Sequence, residues 1–261
     1  MPSRQAIIAG ALAVAAIPPA VWSVTGGLGS GGADFAPATS GRDRLITNEY
    51  AHWNPRASDA RRSPDWDVTS GSFFARNGVG WSGPPDGATP DARSSTGTGS
   101  SVFRMNTRRT DFDDVQVTLR IRTLRFVAGG GRAPTRPSDG VHLMLRRQDQ
   151  TELYVASLNR RDGLLVVKKK LTGGTENGGT YVTLGQVRAP FRFGAWQSFG
   201  VRITSNGRSL VTIAVSRNGR ELLEAVDGGE HGPPIARSGS IGLRADNCEF
   251  EFTALRVHPL R

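Results

Sequence analysis

The stretch Val115-Gln-Val-Thr-Leu-Arg-Ile-Arg122 decides the fold class, because apolar and polar residues alternate through it without a break. Successive side chains of a β-strand point to opposite faces, so this pattern gives one apolar face and one polar face. Asn218-Gly219 follows a similar run and predicts a tight hairpin, since both residues tolerate a positive φ. The same alternation recurs in four further segments: 141–145, 199–203, 211–215 and 248–252.

No segment shows a sustained helical period, and the chain holds 33 Gly and 15 Pro, which punctuate short strands. We therefore predict an all-β chain of about a dozen strands between Ser72 and Val257. The connections are short, which favours antiparallel pairing, because parallel pairing needs crossovers of about a dozen residues or more. The expected architecture is an antiparallel β-sandwich or jelly roll.

The amino terminus has the layout of a secretory signal peptide. Arg4 precedes an uncharged run over 6–17, and Pro18-Pro19 ends that run. We predict a signal peptide over 1–23, a flexible Gly/Ala/Ser-rich linker over 24–45 and a single jelly-roll domain over 46–261. The apolar run is shorter than the ~20 residues of a membrane span, so membrane attachment is expected only through an uncleaved signal anchor. The expected location is secreted, extracellular or on the cell surface.

The charge balance narrows the choice of partners. The chain carries 33 Lys+Arg against 23 Asp+Glu, a net charge of +10, and such a chain attracts polyanions. Export argues against nucleic acid and leaves a polysaccharide or cell-envelope glycan, acidic ones included. One cysteine, Cys248, excludes a disulfide framework, and the four histidines form no metal-binding motif.

Three parts of the sequence resemble secreted concanavalin A-like (laminin-G-like) jelly rolls. They are Trp66-Asp-Val-Thr-Ser-Gly-Ser72, the segments 139–143, 154–163 and 166–170 taken together, and the closing segment 239–252. The resemblance covers about 46–261 and implies a fold used by lectins, glycan-binding modules, glycoside hydrolases and polysaccharide lyases. It implies no cofactor, although domains of this fold often hold a structural Ca²⁺, for which Asp246 and Asn247 are the candidates.

The catalytic motifs of the enzymatic relatives are absent. The ExDxxE of retaining glucanases does not occur; Glu249 and Glu251 lack the third acid and are expected on a solvated outer face. The YxKxGxYxQ signature of related alginate lyases is also absent. We therefore assign no catalytic residue and no metal ligand, and the sequence leaves open whether the protein is an enzyme.

Strand parity nonetheless suggests a ligand-binding face. If Val141 and Leu143 face the core, His142 and Arg146 share the opposite face, and polar residues of the next two strands could join them. Arginine would pair with a uronate carboxylate and tyrosine would stack on a sugar ring. The candidate ligand-binding residues are His142, Arg146, Tyr154, Asn159, Lys168 and Lys170, with Trp81 as a candidate exposed platform.

Three functions remain open from these residues. The first is an exported, non-catalytic carbohydrate-binding module associated with glycans or the cell envelope. The alternative is a polysaccharide lyase, or a hydrolase, that acts on an acidic polysaccharide, with tyrosine or histidine as base and acid. The third is a structural surface protein that binds another protein through a sandwich face.

Overall fold

The computed structural model describes residues 33–39, 42–84, 102–127, 134–176 and 178–260, so the predicted signal peptide lies outside the described residues. Within these ranges the chain forms fifteen strands and one four-residue helix, α1 (Tyr50–Trp53). None of the described helical residues belongs to a helix long and apolar enough to cross a bilayer.

The strands form two antiparallel sheets. The eight-stranded sheet contains, in spatial order, β1 (Arg44–Asn48), β3 (Ser72–Arg76), β4 (Val79–Trp81), β15 (Cys248–Pro259), β6 (Val115–Phe126), β11 (Gln197–Asn206), β12 (Leu210–Arg217) and β13 (Arg220–Asp227). The seven-stranded sheet contains β10 (Gly179–Arg188), β9 (Leu164–Thr172), β8 (Leu153–Arg160), β7 (Gly140–Arg147), β14 (Ser240–Asp246), β5 (Val102–Thr107) and β2 (Trp66–Ser70).

One core lies between the two sheets, as the alternation predicts. On β6, Val117 and Ile121 are fully buried, while Thr118 between them is exposed. Leu143 of β7 belongs to the same core cluster from the other sheet. Cys248 is also buried in this cluster, as its alternation with two phenylalanines suggests. The prediction of an all-β antiparallel sandwich is confirmed.

The hairpin prediction is confirmed as well. Asn218 and Gly219 have φ of 53° and 81° and connect β12 to β13, whose ends pair at Arg217 and Arg220. Positive φ at both central residues is what a two-residue hairpin of the right twist requires.

Some described residues before residue 46 pack against the sandwich. Phe35, within the predicted linker, is 7% exposed and forms a β-bridge with Val257 of β15. Its ring packs edge-on against Trp66 and Phe112, both at 5.7 Å between centroids. Burying a phenylalanine contributes about 1.5–3 kcal/mol, so this part of the predicted linker belongs to the sandwich.

Candidate functional site

The outer face of the seven-stranded sheet gathers cationic side chains from four of its strands. We call this surface the basic face. Its cations are Arg104 on β5, Arg244 on β14, Arg147 on β7, and Lys168 and Lys170 on β9. Residues directly opposite one another on paired strands share a face, and Arg244 lies opposite both Arg104 and His142.

Three of the predicted ligand-binding residues lie on this face. His142 is opposite Ser157, and Lys168 and Lys170 are opposite Val155 and Leu153. Lys169 points to the interior, as strand parity predicts, and its Nζ lies 2.9 Å from Asp227 Oδ2.

Arg146 is not on the basic face, which corrects the parity prediction. A β-bulge shifts the register between β7 and β14 at this point, and Arg146 has a φ of 44°. The extra residue reverses the parity, so the side chain turns inward and is fully buried. Its guanidinium donates to Asp114 Oδ1 at 2.8 Å and to the Ile235 carbonyl at 2.9 Å.

Tyr154 also lies inside the sandwich, because it has the parity of the core residues Ala156 and Leu145. Its hydroxyl donates to Asp227 Oδ2 at 2.5 Å and accepts from the Ile235 backbone N–H at 2.9 Å. Burial and the bond to Asp227 raise the pKa of this phenol, so it remains a neutral structural donor.

Asn159 is the third correction. The register between β7 and β8 shifts so that Val141 faces Asn159 while His142 faces Ser157. Asn159 therefore shares the inward face of Val141, and its Nδ2 donates to Thr123 Oγ1 of the other sheet at 3.1 Å.

Trp81 lies on the eight-stranded sheet, away from the basic face. It is on β4 rather than in a loop, and the Arg76 guanidinium lies 3.7 Å above its ring. Its Nε1 donates to Glu249 Oε1 at 2.9 Å. A ring that already carries an arginine does not present this face to a sugar.

The pair Glu249 and Glu251 is buried rather than solvated, which corrects another expectation. Glu251 is 2% exposed and forms ion pairs with Arg76 and Arg122. Glu249 is 7% exposed and accepts from Arg125 Nε at 2.8 Å. Each carboxylate is thus paired with arginine.

The two candidate calcium ligands bind other groups. Asp246 accepts from Arg244 Nε at 2.9 and 3.0 Å, whereas Asn247 donates to Asp139 Oδ2 at 3.2 Å. No three His, Cys, Asp or Glu side chains come together as they would around a metal ion, among the residues that the structure describes.

Sequence reasoning missed four members of the basic face: Arg104, Arg147, Arg244 and Tyr181. Two of them carried a readable signal. Arg104 alternates with the core residues Phe103 and Met105, and Arg244 lies between Leu243 and Ala245. Arg147 and Tyr181 could not be found in this way, because the first follows a bulge and the second lies on an edge strand of irregular burial.

A small depression lies at the centre of the basic face. It is lined by Arg104, Met144, Arg147, Gln150, Leu153, Lys170, Tyr181 and Arg244 and encloses about 10 Å³. Met144, Leu153 and Val155 form an apolar floor against which Tyr181 packs. Gly242 leaves room for the Met144 side chain in this floor, because a Cβ at position 242 would approach Met144 Cε to 2.5 Å.

The cations of the basic face are crowded and poorly neutralised. Burial, followed by the charge of Arg244, lowers the pKa of Arg104 to about 10. Burial and then the charges of Arg244 and Arg104 lower the pKa of Lys170 to about 8. Burial lowers the pKa of Arg147 and Lys168 as well. Within the described part of the chain, Arg104, Arg147 and Lys168 form no ion pair.

Asp246 is the carboxylate at the centre of this face, and it interacts with two neighbours, Arg244 and His142. Burial raises its pKa, but Arg244 and His142 more than offset burial and the net pKa is lowered. His142 Nε2 lies 3.4 Å from Asp246 Oδ2, and Nδ1 lies 2.9 Å from Ser157 Oγ. Burial lowers the pKa of His142, so the imidazole is neutral at pH 7.

Solved structures of low sequence identity share the overall fold of this chain. A structure described under endo-acting O-glycanases of the human gut microbiota that initiate mucin breakdown has a TM-score of 0.50 and 9% identity, covering 87% of this chain and 99% of that one. The carbohydrate-binding module CBM66 from Bacillus subtilis has a TM-score of 0.47 and 13% identity, covering 73% and 94%. An alginate lyase, Aly36B, whose mutant is in complex with an alginate trisaccharide, has a TM-score of 0.44 and 11% identity, covering 87% and 98%.

No protein-family model matches the chain, and no curated protein matches it by sequence. The likeness to solved structures therefore bears on the fold. The two antiparallel sheets of eight and seven strands form a concanavalin A-like β-sandwich.

Proposed function

We propose that this protein is an exported carbohydrate-binding module that holds an acidic polysaccharide on the basic face. The observation that carries the proposal is the set of crowded cations around an apolar floor. Arg104, Arg147 and Lys168 lack a described anionic partner, although burial costs their charged forms free energy.

An acidic sugar carries the anionic groups that these cations lack as partners. A uronate carboxylate accepts two parallel hydrogen bonds from a guanidinium, which favours arginine for this contact. The C–H face of the same ring suits Tyr181, Met144 and Leu153. Because neighbouring cations of one sign raise the local concentration of anions, repeated carboxylates along a polymer favour binding further.

The test is the affinity of the purified protein for a polyuronate and for a neutral glucan, measured by isothermal titration calorimetry. We expect binding to the polyuronate, and we expect Arg104→Gln to weaken it about tenfold, since a charge-assisted hydrogen bond contributes about 1.5–3 kcal/mol. Arg256→Gln is the matched control, because it removes one exposed arginine from the eight-stranded sheet and changes the net charge equally.

Two results would contradict the proposal. One is the absence of polyuronate binding under conditions where the protein is folded. The other is an equal loss of affinity in both variants, which would mean that net charge alone attracts the polymer.

Lyase chemistry is the second candidate, and one feature of the basic face favours it. Lys170 has a pKa lowered to about 8, and its Nζ lies 5.1 Å from the centroid of the Tyr181 ring. In β-elimination a base removes the C5 proton of a uronate, the C4–O bond breaks, and an acid protonates the departing oxygen. An amine that is partly neutral near pH 7 and a phenol beside it are suited to these two transfers.

Ultraviolet absorbance of the unsaturated uronate product, followed in the same samples, separates the two candidates. A rise in absorbance that Tyr181→Phe abolishes would make the protein a lyase. Binding without a rise in absorbance would support the non-catalytic binding module over the lyase.

A further inference from the structure

Three phenylalanines form a cluster at one end of the sandwich, which we call the aromatic tip. Phe126 ends β6, and Phe191 and Phe193 lie in the connection between β10 and β11. The three rings pack edge-on, with centroids 5.3 to 6.0 Å apart. Phe193 is 54% exposed, among the most exposed large apolar side chains of the described residues.

The tip is held rigidly in place. The Gly194 N–H donates to the Thr123 carbonyl at 2.9 Å, and the Ala189 N–H donates to the Gly163 carbonyl at 2.9 Å. Arg217 Nη1 donates to the carbonyls of Ala189 and Pro190 at 3.0 Å. The loop that carries Phe193 is thus tied by hydrogen bonds to β6, to β12 and to the turn between β8 and β9.

Arginines surround the aromatic tip. The Arg161 guanidinium lies 4.5 Å from the centroid of the Phe126 ring. Arg188 and Arg192 flank the same loop; both are exposed, and neither forms an ion pair with a described carboxylate. Three carboxylates at this end, those of Asp139, Asp162 and Glu249, each pair with an arginine, which leaves Glu221 as an exposed acid nearby.

We infer that the aromatic tip docks onto an anionic lipid surface. Aromatic side chains at an exposed loop enter the headgroup region, and nearby Lys or Arg side chains add electrostatic attraction to anionic lipid. Phe193 is exposed beside two exposed arginines, Arg188 and Arg192, so the tip offers both an apolar side chain and positive charge to a lipid surface.

The aromatic tip is separate from the basic face and from the first described residues near Phe35. The chain enters the described domain at Phe35, beside Val257, which lies opposite Val117 near the start of β6. Phe126 ends the same strand nine residues later, about 30 Å away at 3.3 Å per residue. The first described residues and the tip therefore lie near opposite ends of β6.

Co-sedimentation of the full chain with vesicles tests this inference. The vesicles are phosphatidylcholine alone, or phosphatidylcholine mixed with phosphatidylglycerol. We expect binding to the mixed vesicles, a loss of about tenfold or more in Phe193→Ser, and retention in Phe193→Trp. Val226→Ser is the matched control, because Val226 is 46% exposed on β13 and lies outside the tip.

Every other outcome overturns the inference. Absence of binding to the mixed vesicles would do so directly. Equal binding by all variants would mean that the amino-terminal apolar run or general charge suffices. A Phe193→Ser variant that keeps vesicle binding but loses a soluble acidic polysaccharide would assign the tip to the polymer instead.

Discussion

The charge of Lys170 on the basic face changes at mildly basic pH. Its pKa is lowered to about 8 by burial and by Arg244 and Arg104, so it loses its proton as the pH rises through 8. An anionic ligand binds the protonated amine, so affinity for a polyuronate should be high at pH 6 and fall between pH 7 and 9. Calorimetry at several pH values measures this, and Lys170→Arg should flatten the profile; a wild-type profile as flat would contradict the assignment.

Tyr154 provides a second test at the scale of a single residue. The sequence suggested it as a ligand contact, but its hydroxyl bridges Asp227 and the Ile235 N–H inside the core. Tyr154→Phe should lower the free energy of unfolding by about 1–3 kcal/mol, because a buried donor and a buried acceptor lose their partner. Polyuronate affinity should stay unchanged. Chemical denaturation and calorimetry measure the two effects, and lost affinity in a fully stable variant would return Tyr154 to the binding site.

Individual residues also show where sequence reasoning succeeded. Alternation along β9 predicts Lys168 and Lys170 on one face and Lys169 on the other, and the register of β9 agrees with this. Alternation alone predicts the wrong face for Arg146 and Asn159. A register shift in the strand pairing near each residue reverses the face to which its side chain points. A one-residue bulge leaves no clear mark in an alternating sequence, so these two positions required coordinates.

At the scale of the strand, the bulges between β7 and its neighbours shape the basic face. They turn Arg146 inward and let Arg147 line the depression. Gly140 begins β7 with a φ of 150°, and a Cβ there would overlap the backbone carbonyl of Asn159. The first position of β7 therefore requires glycine, the residue without a Cβ.

Gly140→Ala should therefore lower the free energy of unfolding by about 1–3 kcal/mol or more, because a backbone overlap cannot be relieved by side-chain rotation. Gly173→Ala is the control at the same scale. Gly173 also has a positive φ, 89°, but a Cβ there would meet nothing within 4 Å, so we expect only about 1 kcal/mol. Urea denaturation of both variants measures the difference, and equal losses would show that conformation rather than overlap sets the cost.

At the scale of the whole molecule, alternation and hairpin chemistry were enough to predict a two-sheet antiparallel sandwich. Those signals are local and repeat along the chain, which is why they survive a few irregular strands. The grouping of site residues depends instead on which strands become neighbours. β14 lies between β5 and β7, a placement that no local pattern records, and it brings Arg104, Arg244 and His142 into one row.

The two sheets differ in how the charges on their outer faces are balanced. The eight-stranded sheet neutralises Glu249 and Glu251 with arginines on its outer face, whereas the basic face leaves several cations without an anionic partner among the described residues. Electrostatic complementarity thus favours the seven-stranded sheet as the surface that takes an acidic ligand.

The most direct test of this account is a map of backbone amide chemical-shift changes on titration with a uronate oligosaccharide. We predict that the largest changes fall on β5, β14, β7 and β9 around Arg104, Arg147, Lys170 and Tyr181. Changes confined to the eight-stranded sheet or to the aromatic tip would contradict the account, as would the absence of any change at saturating ligand.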